Sequence, residues 1–199
     1  MQAVPARSPR QARFPVVCIG MSAGGLKPLE TIFRQLKPNS GVAFVIIAHS
    51  ARNTPTRLPW LLHAWSGMPA ELARPGMLFE PDHIYVIPPG KEVFVEDGYF
   101  SVHPRSKFYG WSNVLTLFLE SLTRARTPPG IAVILSGIDA DGAAALGEFQ
   151  EKGGITIAQE PQSAAHEGMP QAAIETGSVN FVLPPERIAA VIEALAAPD

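Results

Sequence analysis

From Phe14 onward, short unbroken apolar runs alternate with longer stretches in which apolar residues recur every three or four positions. A run bounded by glycine or polar residues fits a strand buried on both faces, and the longer period fits an amphipathic helix. The alternation therefore predicts a mainly parallel sheet with helices on both faces. Residues 16–19 predict the first strand, and Leu26, Leu29, Ile32, Phe33 and Leu36 share one face of the helix that follows. Residues 42–48 predict the second strand, after which Leu58, Leu61, Leu62 and Trp65 return at helical spacing. Between Met77 and His103 the rhythm breaks. Residues 84–87, Pro88-Pro89-Gly90, residues 92–96, an Asp97-Gly98 turn and residues 99–103 predict an antiparallel hairpin insertion. The alternation resumes with a helix over 112–124, a strand at 131–135, a helix over 143–152, a strand at 155–158 and a last helix over 185–196. The predicted class is α/β, a doubly wound, Rossmann-like sheet without internal repeats.

Length and composition narrow this picture. At 199 residues there is room for one such domain, placed at 14–197. Residues 1–13, rich in Arg, Pro and Ala and lacking both acids and an apolar signal core, predict a flexible leader or linker. The 46% hydrophobic and 17% charged content belongs to chains that fold rather than to disordered ones. A formal charge of −2 without a basic stripe argues against nucleic acid as a partner. No apolar run approaches the roughly 20 residues of a membrane span, so no membrane insertion is expected. The single cysteine, Cys18, cannot form an internal disulfide, which fits a cytoplasmic location and a thiol serving as a small buried hydrophobe.

Open α/β sheets bind ligands beyond the carboxyl ends of their strands, so the polar residues directly after buried runs matter most. Gly20-Met21-Ser22-Ala23-Gly24-Gly25 follows the first strand, His49 the second, and Ser136-Gly137-Ile138-Asp139-Ala140-Asp141-Gly142 the strand at 131–135. The first has the G-x-S-x-G form of a nucleophile elbow, and equally that of a glycine-rich phosphate cradle at a helix N-terminus. Ser22 stands where a dinucleotide fold has its second glycine, and His49 where such a fold has an acid for the ribose. Both substitutions favour hydrolysis: a serine nucleophile, a histidine base and an aspartate to orient it, at one edge. Asp139 and Asp141 also suit the start of a calcium loop, but apolar residues 143–146 follow where further oxygen ligands would fall. His63, His83, His103 and His166 show no zinc spacing. No metal or cofactor is expected.

These residues, in this order, resemble the CheB-type chemotaxis protein-glutamate methylesterases. The resemblance rests on Ile19 to Gly25, His49, Tyr85-Val86-Ile87-Pro88-Pro89, Val133 to Gly137 with Asp141-Gly142-Ala143, Ile157-Ala158-Gln159 and Gly168-Met169-Pro170, and so spans nearly the whole chain. It implies Ser22 as nucleophile, His49 as general acid and base, Asp141 as the residue holding His49, and a backbone amide near Ile138 for the oxyanion. The implied substrate is a methylated chemoreceptor cytoplasmic domain or a related signalling protein. Whether glutamine is also deamidated, and what Glu160 does, stay open.

The chain departs from that family in four ways. Ala23 replaces the usual threonine after the nucleophile. Asp139 replaces a glycine, placing a second carboxylate near the site, where its charge is expected to favour protonated His49 and move the alkaline rise of activity upward. Gly110-Trp111 replaces a basic residue, and no stretch resembles the N-terminal receiver domain common in the family. The alternatives are a catalytically silent module of the same fold, and a nucleotide-binding regulator that uses the glycine loop.

Overall fold

The computed structural model describes residues 14–49, 55–105, 113–125 and 130–197. The leader at 1–13 and Gly110-Trp111 lie outside them.

Strand β1 (Val16–Met21) is completely buried and lies at the centre of a seven-stranded sheet. It pairs in parallel with β2 (Ala43–Ala48) on one side and β7 (Ile131–Ile134) on the other. Beyond β2 come β4 (His83–Val86) and the edge strand β3 (Ala70–Leu72). Beyond β7 come β8 (Ile155–Gln159) and the other edge strand β9 (Phe181–Leu183). The chain thus builds one half of the sheet outward from β1, returns, and builds the other half. The reversal falls between β1 and β7, the point at which open α/β sheets form their clefts.

Alternate residues of β1 feed different cores. Val17, Ile19 and Met21 pack with Leu29, Ile32 and Phe33 of helix α1 (Leu26–Phe33), with Leu62 of α2 (Leu58–Ser66) and with Ile188 and Ile192 of α6 (Pro185–Ala196). Val16 and Cys18 face the opposite layer, with Leu115 and Phe118 of α3 (Val114–Arg124), Phe149 of α4 (Leu146–Glu151) and Met169 of α5 (Gly168–Glu175). Each large aliphatic side chain so buried contributes roughly 1.5–3 kcal/mol, which explains why β1, β2 and β7 carry no polar side chain beyond the Cys18 thiol.

Strands β5 (Lys91–Glu96) and β6 (Tyr99–Pro104) form a separate antiparallel pair whose turn uses Asp97 and Gly98 at positive φ. It packs on α3, where the Ser121 hydroxyl accepts a 3.0 Å bond from the Val95 N–H.

Three expectations need correction. Residues 84–87 are not part of the antiparallel insertion, since β4 is a parallel strand of the main sheet. Pro88-Pro89-Gly90 marks its end and the start of the hairpin, not a turn within one. Leu26 is half exposed, because α1 begins there and its buried face starts at Pro28. The helix expected over 143–152 is a 3₁₀ turn followed by a short α-helix.

Candidate active site

The parallel pairing of β1 continues past its last residue. The Ser22 N–H donates to Ser136 O at 2.9 Å and the His49 N–H to Met21 O at 3.0 Å, so the ends of three strands are stitched together at one edge. Ser22 then begins a tight turn into α1. At Gly24, φ is 78°, and a Cβ there would lie 2.7 Å from both the Ala165 Cβ and the Ser136 Oγ. Gly137 presses equally closely: a Cβ on it would fall 2.9 Å from the Ser22 Cβ and within 2.1 Å of the Met169 Sδ. Only glycine at both positions lets the loops close around the serine.

Ser136 joins these loops. It is fully buried, its hydroxyl donates to Ala23 O at 2.8 Å and accepts from the His166 N–H at 3.0 Å, and its N–H donates to Gln159 Oε1 at 3.0 Å. Among the described residues the Ser22 hydroxyl makes no hydrogen bond, and the N–H groups of Ala23 and Ile138 have no acceptor. A partly buried serine is therefore presented beside two backbone donors that are free among the described residues.

His49 is in the opposite situation. Its Nε2 lies 2.8 Å from Asp141 Oδ2 and its Nδ1 2.9 Å from Asp139 Oδ2. Burial by itself would lower the His49 pKa, but the ring's hydrogen bonds to Asp139 and Asp141 and their negative charge outweigh it and raise the value to about 9. Burial likewise opposes ionisation of Asp139, yet its bonds to His49 and to the Asp141 N–H hold its carboxyl below the ordinary carboxylate range. Asp139 thus acts on the His49 ring through a hydrogen bond as well as through its charge.

Asp141 is fixed by the start of α3. The Leu115 N–H donates to Oδ2, and the Thr116 N–H and hydroxyl both donate to Oδ1, each at 2.9 Å. These are helix N-terminal donors satisfied from another loop, and the helix dipole favours the negative charge they hold. Thr116 also accepts from the Gly142 N–H at 2.8 Å and so ties the acid loop to the helix a second time.

The structure brings His49, Asp139 and Asp141 into one hydrogen-bonded group and sets Ser22, Ala23 and Ile138 beside it. It does not link the Ser22 hydroxyl to the imidazole. Ile138, 58% exposed, borders a shallow cleft of ≈ 360 Å³ lined also by Ala164, Ala165, His166, Glu167 and Gly168. Thr116, Ser136, Gln159 and His166 complete the framework; the sequence reading named the last three without giving them this supporting role, and did not single out Thr116. Ser136 and Gln159, each directly after a predicted buried run, carried a positional signal. Glu160 acts through its backbone, donating to Leu183 O and accepting from Ser163. Asp139 and Asp141 bracket an imidazole instead of converging on one point, and among the described residues no group of three His, Cys, Asp or Glu is arranged for a metal ion. Nor is any described helix long and apolar enough to cross a membrane.

Residues 17–192 match the family described as CheB methylesterase. A protein of Geobacillus kaustophilus (strain HTA426), named protein-glutamate methylesterase/protein-glutamine glutaminase, is 33% identical over 198 residues, covering 96% of this chain and 55% of its own length. A protein of Syntrophus aciditrophicus (strain SB), named protein-glutamate methylesterase/protein-glutamine glutaminase 1, is 33% identical over 186 residues, with 92% and 53% covered. The chain thus spans about half the length of these two curated relatives. The crystal structure of the Thermotoga maritima CheB methylesterase catalytic domain matches with a TM-score of 0.84 at 26% identity, covering 92% of this chain and 98% of that one.

Proposed function

Because this chain belongs to the CheB methylesterase family, we propose that it is a serine hydrolase that removes the methyl group from glutamate methyl esters on methylated chemoreceptor cytoplasmic domains or related signalling proteins, in the cytoplasm. The observation that supports this reading is that the loops carrying Ser22 and His49, which follow β1 and β2, and the loop after β7 are joined by backbone bonds at one edge, with the imidazole bonded to Asp141.

In the reaction, Ser22 Oγ attacks the ester carbonyl while neutral His49 takes its proton. Negative charge developing on the carbonyl oxygen is met by the free N–H groups of Ala23 and Ile138, a backbone oxyanion site that needs no side chain at position 23. Collapse of the tetrahedral species breaks the ester C–O bond, and His49 returns the proton to the departing methoxide, releasing methanol. Water activated by His49 then cleaves the acyl-serine to free the glutamate and the enzyme. Asp141, held by four donors including His49, orients the ring and offsets its charge when protonated. The same acyl-enzyme forms from a glutamine side chain with ammonia as the leaving group, so deamidation requires no additional residue.

Methanol release from a methylated receptor cytoplasmic fragment tests the assignment, using the wild type and Ser22→Ala, His49→Ala and Asp141→Asn under identical conditions. Release by the wild type alone supports it. Undiminished release by the Ser22 variant, or none by a folded wild type across the pH range, contradicts it.

A further inference from the structure

We propose that Asp139 is a brake built into this site: its carboxylate occupies Nδ1 of His49, the nitrogen left over once Asp141 holds Nε2, and it must withdraw before the imidazole can take the proton of Ser22. The inference rests on the hydrolase reading above and specifies how that site is held at rest.

Hydrogen-bond inventory leads to it directly. A neutral imidazole has one N–H donor and one lone pair, whereas an ionised carboxylate only accepts. With carboxylate oxygens 2.8 and 2.9 Å from the two ring nitrogens, both nitrogens donate. A ring donating from both nitrogens has no lone pair for the serine proton. The Ser22 hydroxyl is correspondingly unbonded among the described residues, although its backbone is fixed beside that of His49.

The two carboxylates are not equivalent. Asp141 has a completely buried side chain and three bonds from Leu115 and Thr116 that hold it whether or not His49 is charged. Among the described residues Asp139 has only its bond to His49 and one from the Asp141 N–H at 3.0 Å, and both its chain neighbours, Ile138 and Ala140, are exposed. The Asp139 side chain is itself only 9% exposed, but it belongs to neither apolar core and is held by fewer bonds than Asp141, so it is the partner that can leave. Among the described residues the charged groups acting on the ring are these two carboxylates, with the Thr116 hydroxyl and the α3 amides engaged by Asp141. Loss of Asp139 would leave an imidazole with one carboxylate on Nε2 and a free Nδ1, the complement a catalytic base requires.

The test is the rate at which a fluorophosphonate labels Ser22 between pH 6 and 10, in the wild type, Asp139→Ala and Asp139→Asn, with ¹⁵N NMR of the His49 ring in each. The alanine variant removes both charge and occupancy. Asparagine removes the charge but keeps an amide against Nδ1. Each unit by which the histidine falls below about 9 gives about tenfold more neutral imidazole at pH 7. Asp139→Ala should therefore label at least about tenfold faster than wild type at pH 7 and converge with it near pH 10. Its ring should lose the second proton at a lower pH than the wild-type ring does, by at least about one unit, and asparagine should gain less than alanine. The brake is overturned if alanine labels no faster at pH 7, if it labels more slowly at every pH, which would make Asp139 an orienting residue, or if asparagine gains as much as alanine. A wild type that labels at no pH instead overturns the hydrolase reading, and the brake with it.

Discussion

The serine half and the histidine half of the site are organised by different forces. Ser22 is positioned by backbone: strand pairing to Ser136, a left-handed Gly24, and close contact with Gly137. Among the described residues its hydroxyl makes no hydrogen bond. His49 is positioned by charge, with both ring nitrogens on carboxylates and one of those carboxylates anchored to α3. The proposed nucleophile is thus positioned without being engaged, whereas the proposed base has both ring nitrogens engaged. Positioning by backbone costs nothing electrostatically and survives any protonation state. Positioning by charge couples the site to pH.

The sharpest way to break this contrast is Ser22→Ala. With no bond to lose, the variant should keep wild-type stability within about 0.5 kcal/mol in urea unfolding while activity falls roughly 10⁴-fold or more. A clear loss of stability would show that the hydroxyl has a structural partner. On the histidine side the dependence is on pH. The folded value of about 9 lies above the ordinary histidine value of 6.5 expected of the unfolded chain, so protonated His49 stabilises the fold fully below about pH 6.5, and that contribution disappears as pH rises through about 9. Unfolding free energy should fall by on the order of 3 kcal/mol across that window, and His49→Gln should flatten the curve. A wild-type profile flat from pH 6 to 10 would contradict the double carboxylate clamp.

Gly137→Ala addresses the backbone half. Its Cβ would collide with the Met169 Sδ and the Ser22 Cβ, so we expect a loss of about 1–3 kcal/mol and, through displacement of the nucleophile, about a hundredfold fall in kcat. An effect on stability alone would show that Ser22 is positioned independently of the β7 loop. The smallest effect expected is that of Thr116→Val, which removes one bond to Asp141 and one from Gly142, for about 1 kcal/mol of stability and only a few-fold in kcat. A much larger fall in kcat would make the hydroxyl, rather than the α3 amides, the main support of Asp141.

The contrast also explains what could be read in the sequence. Ser22, His49 and Asp141 were legible because each lies in the first loop after an unbroken apolar run, and doubly wound sheets bring such loops together. Asp139 was legible as a nearby charge, but its bond to Nδ1 depends on the loop turning so that residues 139 and 141 address opposite sides of one ring, which no spacing specifies. Thr116 and Gln159 support the site from elements distant in sequence, and a threonine near a helix start or a glutamine at a strand end is too common to single out. In the fold, the four central strands were read from their apolar runs. Three-residue β3 and β9 were missed, being too short to show a period. Residues 84–87 were drawn into the hairpin by the turn residues after them, because a single apolar run does not reveal whether its neighbours are parallel.

Peptide mapping of the fluorophosphonate adduct, after labelling at pH 10 where His49 is mostly neutral, tests the central claim most directly. The account predicts one adduct, on Ser22, absent from His49→Ala. An adduct on another residue, or a folded wild type that remains unlabelled at that pH, would contradict it.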